Sequence, residues 1–461
     1  MRNMRTLERK LVIKARRTPG SGIFLCAVVC ILLQFFVTNN VVRVIAGHDV
    51  NIRFHPANII MMFCAFYALA NGPIPFHQRC REAPGLILFV FAIPLFAIYT
   101  AWFNGLSGAA FYFDSFWGAG LLAVALEGAT DRQKRFLAKL LLALVLMNVL
   151  FGLFESLTQH NLFPFVANDD VKQAEIQATA NFRANAFYPH PLTASLITGM
   201  AFFLLYVMQL RFLAMAPAFL LILIGLLAFG GRTALFVTVG MSGLAACWVV
   251  LSGIIKRNLK LEVMGYLLVA VTVLPLITLI IVTQTTIADR IVNTLYFDDS
   301  AEVRVFQWTI LNYLSLKNWL FGVPLQELTA LKYQIGLDSV EDIENFWLLL
   351  FLNLGAVGFV AFLFVFGAFL VHIARYGHGM YAWMLMISAL IIDSGSNSLG
   401  QKSNDLVIEV AFLVAMSGYR NYTRQTVRRI ATSTPMRTEG LIRARIPPRI
   451  VRGLRVLNRA H

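Results

Sequence analysis

Charged side chains are scarce in this chain. Asp, Glu, Lys and Arg make up 14% of the 461 residues, against about 25% in a typical soluble domain. Hydrophobic residues account for 58% and the mean hydropathy is +0.69. A disordered chain needs low hydrophobicity and high charge, so that class is excluded, and a soluble enzyme is strongly disfavoured.

Cysteine and nucleotide-binding motifs are also lacking. The five cysteines form no CxxC pair and no Cys/His cluster, so neither a disulfide framework nor a zinc site is expected. The absence of G-x-x-x-x-G-K-[ST] argues against an ATPase. We therefore expect no cofactor and no bound metal.

Long apolar runs are abundant. A helix needs about 20 apolar residues to cross a bilayer, and the predicted spans are 22–45, 56–72, 84–104, 108–127, 136–157, 187–209, 212–230, 233–255, 261–283, 346–374, 379–394 and 405–419. The sequence thus predicts an all-α, polytopic integral membrane protein with about 12 transmembrane helices.

The positive residues behind the net charge of +15 are distributed as a membrane topology predicts. With the N-terminus inside, the cytoplasmic segments hold 29 of the 39 Lys and Arg residues and the opposite side holds 10, as the positive-inside rule expects. We expect a cytoplasmic basic tail (1–21), a transmembrane domain (22–419) and a cytoplasmic Arg-rich tail (420–461). The second tail contacts anionic lipid or binds a partner; no nucleic acid is expected.

Two external loops are too long to be simple connectors. They span about 158–186 and 284–345, and long loops are commonly functional. The active face is therefore expected on the outside.

Arginines mark three places on that face. Arg183 precedes His190 and Pro191 at the mouth of a helix, where free N–H groups and a cation can meet one anion. Arg232 is the cation of a short Gly-Gly-Arg turn, on the side that positive charge avoids. Arg304 lies one helical turn before Trp308, so the two share a face. Each arginine also has a purely structural interpretation. Arg183 would snorkel to the interface, Arg232 would belong to an ordinary tight turn, and Arg304 would form a local ion pair.

Carboxylates lie close to the same face. Glu344 and Asn345 adjoin the apolar run of the tenth span, although acids favour helix N-termini in any case. Other acids occur near the outer ends of spans, and each is either a packing partner for an arginine or a substrate contact. These acids are Asp114, Glu155, Asp393 and Glu409.

Taken in order, four segments resemble motifs of the O-antigen ligase and polysaccharide polymerase family, over roughly residues 130–370. They are Arg183…Ala186-Phe187…His190-Pro191…Ala194, resembling R-x-x-G-x-x-x-[HN]-P-x-x-A; Gly231-Arg232-Thr233-Ala234-Leu235, resembling S-R-G-A-L; Arg304…Trp308 with Trp319-Leu320-Phe321-Gly322, resembling R-x-x-x-W…P-L-F-G; and Glu344-Asn345…Leu354-Gly355…Gly358, resembling H-N…E-x-G-x-x-G.

The resemblance implies an inverting, metal-independent membrane glycosyltransferase of the bacterial inner membrane, with both termini cytoplasmic and a periplasmic active face. Its donor would be an undecaprenyl-diphosphate-linked oligosaccharide, and membrane lipid and other polysaccharide assembly and export proteins would be its partners. Arg183, Arg232 and Arg304 would bind the diphosphate, which suits a permanent, bidentate cation. Trp308, Asn345, Asp393 and Glu409 would contact substrate.

Glu344 replaces the histidine of the ligases, which favours a polymerase of exopolysaccharide or O-antigen repeat units. Glu344 or His190 would accept the acceptor proton, or neither would, since a good leaving group needs little base assistance. Arg232 would act with them in catalysis. One alternative is a ligase that transfers finished glycan to a lipid or protein. Another class is a transporter of polysaccharide or lipid-linked sugar, which would show paired helix breaks; an anion permease is a further alternative.

Overall fold

The fold is taken from a computed structural model. It describes residues 21–38, 41–42, 45, 54–72, 74–163, 182–188, 190–208, 210, 212–255, 305–336, 343, 345–377, 379–394 and 403–419. Within these ranges the chain is all-helical. The ninth predicted span, most of the first outer loop, nearly half of the second and nearly all of both basic tails lie outside them.

Fourteen α-helices are present in the described ranges. Those before the first outer loop are α1 (Ser21–Phe36), α2 (Pro56–Asn71), α3 (Phe76–Glu82), α4 (Pro84–Phe111), α5 (Gly118–Glu127) and α6 (Asp131–Thr158). Those after it are α7 (Pro191–Met208), α8 (Phe212–Ala228), α9 (Arg232–Ile255), α10 (Leu316–Phe321), α11 (Leu325–Gln334), α12 (Phe346–Tyr376), α13 (Gly379–Ser394) and α14 (Asp405–Ser417). A π-helical turn (Tyr112–Trp117) joins α4 to α5, and a 3₁₀ helix (Gln307–Tyr313) precedes α10.

Helices occupy eleven of the twelve predicted spans. Six are long and apolar enough to cross a bilayer, or seven if α2 and α3, bent by 101°, count as one. This composition is compatible with a membrane-embedded protein. The total of 12 spans and their orientation stay predictions, since α1, α8 and α13 are shorter apolar helices.

Local signals explain where the helices begin. Thr130 forms a capping box with Gln133, so α6 starts at residue 131, before its apolar run. Asn345 accepts the N–H of Leu348 and caps α12. Pro191 starts α7 four residues later than predicted, because proline lacks an N–H and suits the first helical position.

The core is aromatic, and α4 lies antiparallel to α12 within it. Phe89 stacks on Phe369 with ring centroids 4.0 Å apart, and Phe96 meets Phe362 at 5.7 Å. All residues of α14 are buried. The bundle therefore has central helices, α7 and α14, and peripheral ones such as α4 whose side chains face outward.

Glycines break two of the long helices. Gly105 interrupts α4 with φ 69° and Gly355 interrupts α12 with φ 64°, values that glycine tolerates without a Cβ clash. The breaks adjoin one another, since Asn104 Nδ2 donates to Asn353 Oδ1 at 3.2 Å. Paired helix breaks of this kind were not apparent from the sequence.

Candidate functional site

The end of the first outer loop and the residues just after it, 182–188, are held by a buried carboxylate. Glu155, near the end of α6, accepts the N–H of Asn185 at 2.9 Å and that of Ala186 at 2.8 Å with Oε2. Its Oε1 accepts the N–H of Leu162 at 2.7 Å. One side chain thus satisfies three backbone donors.

Ala186 adopts a left-handed conformation within this segment, with φ 50°. Glycine is the residue that adopts such a conformation without strain. The family motif that this segment resembles has glycine at the matching position. The strain of this alanine is balanced by the bonds to Glu155.

Two more side chains fix the same segment. Asn148 Oδ1, two turns before Glu155 on α6, accepts the N–H of Phe187 at 3.1 Å. Thr38, beyond α1, donates its hydroxyl to the carbonyl of Phe187 at 2.9 Å. The segment is therefore held on both sides and carries Arg183 at a defined place.

Arg183 and Arg232 lie in adjoining backbone segments. The N–H of Ala184 donates to the carbonyl of Ala228 at 3.4 Å, so the Arg183 segment lies against the turn that leads to Arg232. The Nε atom of Arg183 is buried and has no hydrogen-bond acceptor within the described residues. A buried N–H group without an acceptor is costly, which suits a site that receives an anion.

The Gly-Gly-Arg turn packs tightly on α7. A Cβ atom at Gly231 would collide with the side chain of Ser195. This contact explains why the chain has glycine where the resembling motif has serine: Ser195 already occupies the space. It also brings Arg232 beside the first turn of α7.

His190 caps α7. Its Nδ1 accepts the N–H of Leu192 at 3.2 Å, and burial lowers the pKa of the imidazole to about 4. His190 is therefore neutral at pH 7, with the Nδ1 lone pair engaged by the helix. As a proton acceptor it would have to release that bond.

Carboxylic acids line the inner side of the site. Thr193, in the first turn of α7, donates to Asp405 Oδ2 at 3.3 Å. Glu409 lies within Coulombic range of Asp393 and Asp405, and all three are only 1% exposed. Burial and the Asp405 charge raise the pKa of Tyr188 well above its usual range.

Burial changes the interpretation of two predicted substrate contacts. Asp393 and Glu409 lie close to one another, as expected for members of one site. Each is only 1% exposed, so neither presents its carboxyl group to an open surface. They support the site from within. The described residues contain no group of three His, Cys, Asp or Glu side chains arranged to hold a metal ion.

The start of α12 joins the same end of the bundle. The indole of Trp347 donates to the Ser394 hydroxyl at 2.7 Å, which sets the helix cap Asn345 near Asp393. Hydrogen bonds and close contacts thus link one end of α6, α7, α8, α9, α12, α13 and α14. The predicted site residues along this path are Arg183, His190, Arg232, Asn345, Asp393 and Glu409.

Three predicted site residues are not part of this described set. Arg304 and Glu344 lie outside the described residues. Trp308 is on the 3₁₀ helix, 44% exposed, while its neighbour Ile310 packs in a small separate core with Leu348 and Leu352. Their roles stay predictions.

Sequence reasoning missed the residues that hold the site together. For Glu155 the sequence predicts only a substrate contact or an arginine partner, and for Asn148, Thr193, Ser195 and Asp405 it predicts no role. A signal existed for the α6 pair: Asn148 and Glu155 are polar residues two helical turns apart in an apolar helix, which places them on one face.

A scan against family models, a search of curated proteins and a search of solved structures each find no match for this chain. The family resemblance accordingly rests on the four segments alone.

Proposed function

We propose that this chain is a membrane glycosyltransferase that polymerises undecaprenyl-diphosphate-linked oligosaccharide repeat units into exopolysaccharide or O-antigen. The supporting observation is the hydrogen bond between Ala184 and Ala228. It links Ala184, in the Arg183 motif segment, to Ala228, which is 44 residues later and three residues before the Gly231 motif segment. The two arginines thereby come to the end of the bundle where carboxylates also gather. A diphosphate leaving group requires such a concentration of positive charge.

In the proposed reaction, a hydroxyl of the incoming lipid-linked repeat unit attacks the anomeric carbon of the growing chain. The bond from that carbon to the diphosphate oxygen breaks with inversion, and undecaprenyl diphosphate leaves with the electron pair. Arg183, Arg232 and Arg304 stabilise the charge on the diphosphate. A base accepts the proton of the hydroxyl.

Glu344 is the proposed base. The alternative, His190, is weakened by the bond from Leu192 to its Nδ1 and by its low pKa. The pH–rate profiles of E344Q and H190N, measured with lipid-linked substrate, separate the two. We expect E344Q to lose most activity at neutral pH; near-normal rates would remove Glu344 from this role.

The proposed membrane is the bacterial inner membrane, with both termini cytoplasmic and the site periplasmic. The arginines are proposed to act without a divalent metal. Activity of the purified protein should persist in EDTA, and a loss that magnesium or manganese restores would contradict this part of the proposal.

The paired helix breaks at Gly105 and Gly355 favour a second candidate. Discontinuous helices commonly line the substrate sites of transporters, so a carrier of lipid-linked sugar is the alternative class. The glycolipids of a strain lacking the protein distinguish these functions. Single repeat units accumulating on the lipid at the outer face indicate a polymerase, finished polymer on the lipid indicates a ligase, and no lipid-linked sugar on the outer face indicates a transporter.

A further inference from the structure

The two glycine breaks lie at the same height along the helix bundle. Residues 84–104 of α4 and 356–376 of α12 are each about 21 residues long, which corresponds to about 32 Å of helix. The hydrocarbon core of a bilayer is about 30 Å thick. Because Asn104 and Asn353 are bonded, both helices reach the membrane boundary at the same level.

Lipid-facing side chains lead up to this level. On α4, Leu95 is 66% exposed and Trp102 is 86% exposed. Trp102 lies three residues before the break at Gly105, which is the depth at which tryptophan favours the headgroup region. The outward face of α4 therefore ends in an interfacial anchor.

The segment that contains the 3₁₀ helix and α10 docks at the breaks. The N–H of Val323 donates to the carbonyl of Leu352 at 2.7 Å, and the N–H of Leu325 donates to Asn104 Oδ1 at 3.0 Å. The hydroxyl of Tyr99 bonds to the carbonyl of Phe321. These bonds place the segment at the membrane boundary, beside the lipid-facing surface of α4.

This segment combines a few buried side chains with several exposed apolar ones. Ile310 and Val323 are buried and pack into the small core on α12. We call the exposed apolar residues of this segment together the aromatic face, and its members are Phe306, Trp308, Tyr313, Leu316, Trp319 and Phe321. Leu316 is 77% exposed, which is costly for a leucine in water.

We propose that the aromatic face binds phospholipid of the leaflet on the site side of the membrane, with its rings at the depth of the headgroups and the upper acyl chains. The face continues the lipid-facing surface of α4 at the boundary level, and Trp and Tyr are the residues enriched there. The exposed Lys317 beside it adds attraction to lipid phosphate. This surface would serve a polymerase and a transporter equally.

Fluorescence quenching of the full chain in liposomes tests the proposal. In a background with Trp102→Phe and Trp248→Phe, since Trp248 on α9 is also 61% exposed, we compare phosphatidylcholine brominated near the glycerol backbone with phosphatidylcholine brominated at the chain ends. Shallow bromines should quench strongly, and Trp308→Phe with Trp319→Phe should remove most of that quenching. Trp347→Phe is the matched control, because that indole is bonded to Ser394 inside the bundle; it should leave shallow quenching unchanged.

Three outcomes would overturn the proposal. Quenching of Trp308 and Trp319 by aqueous iodide instead of bromolipid would mean that the face is in water. Loss of bromolipid quenching on adding polyprenyl phosphate at about one molecule per protein would assign the face to a polyprenyl chain. Protection from both quenchers that disappears on dilution into excess lipid would assign it to a second copy of the chain.

Discussion

The carboxylate of Glu155 accepts the N–H of Ala186 at 2.8 Å, while Ala186 itself holds a left-handed backbone with φ 50°. This pair determines how the segment after the first outer loop returns to the bundle. It also determines where Arg183, three residues earlier, enters the site.

Replacing Glu155 by alanine should destabilise the protein by about 3 kcal/mol, because three backbone N–H groups lose a charged acceptor. Glu155→Gln should retain part of the stability, since an amide oxygen still accepts. The apparent melting temperature in detergent measures both. Thr158→Ala, which removes an exposed hydroxyl from the same end of α6, is the control. Equal stability of E155A and T158A would show that the Glu155 carboxylate does not stabilise the backbone it contacts.

Ala186→Gly should stabilise the protein by about 0.5 kcal/mol, the relief of left-handed strain less the added entropy of the unfolded chain. Ala184→Gly is the matched control, two residues away and also buried, and it should destabilise. Thermal unfolding of both variants gives the comparison. A lower melting temperature for A186G than for the natural chain would show that φ 50° carries no strain.

Arg232→Ala should abolish transfer of the glycan, by about 100-fold or more, as loss of a charge-stabilising group does elsewhere. Arg232→Lys should also fail substantially, because lysine cannot hold a diphosphate through two parallel bonds. Membrane insertion should be normal. Arg81→Ala, on the exposed side of α3, is the control. Full activity of purified R232A would remove this arginine from the proposed mechanism.

Stability should fall in acid through His190. Its pKa is lowered from 6.5 to about 4 by burial, so the unfolded chain binds the proton first. The contribution of the neutral imidazole is complete above about pH 6.5 and is lost as the pH falls towards 4, by about 1.4 kcal/mol per pH unit at most. His190→Asn keeps a helix-capping side chain and should reduce this loss.

The comparison for His190 is a set of melting temperatures between about pH 7 and about pH 4, the range in which its protonation changes. His77→Asn, at an exposed position of α3, should leave the acid sensitivity of the natural chain in place. If H190N and H77N respond to acid alike, the histidine at the mouth of α7 is not the source of the effect.

Gly355→Ala should unfold or strongly destabilise the protein, by more than about 3 kcal/mol. A Cβ atom there would collide with the backbone of Leu320 and Gly322, and the positive φ adds strain. Gly367→Ala lies in the same helix with nothing near its Cβ position, and it should be neutral or stabilising by about 1 kcal/mol. Similar melting temperatures for the two variants would refute the close backbone approach.

Most helices of the bundle could be predicted from apolar runs, because a bilayer-length stretch of hydrophobic residues is a local property. The first residue of a helix was predicted less well where a capping residue or a proline determines it. Pro191 delays α7 and Thr130 advances α6. The break within α12 was not predicted, since glycine in an apolar run does not reveal whether its φ is positive.

The candidate site, like the fold, could be predicted from the sequence only in part. The sequence determined that arginines and acids gather near the outer ends of the predicted spans, because the cost of placing charge in lipid shows in the composition of each run. Only the tertiary structure decided which of them meet. It joined Ala184 to Ala228, buried Glu409 beside Asp393, and engaged His190 with a helix cap. Such contacts link residues that are distant in the chain, and a hydrogen bond of about 3 Å depends on the packing of whole helices, which no local pattern records.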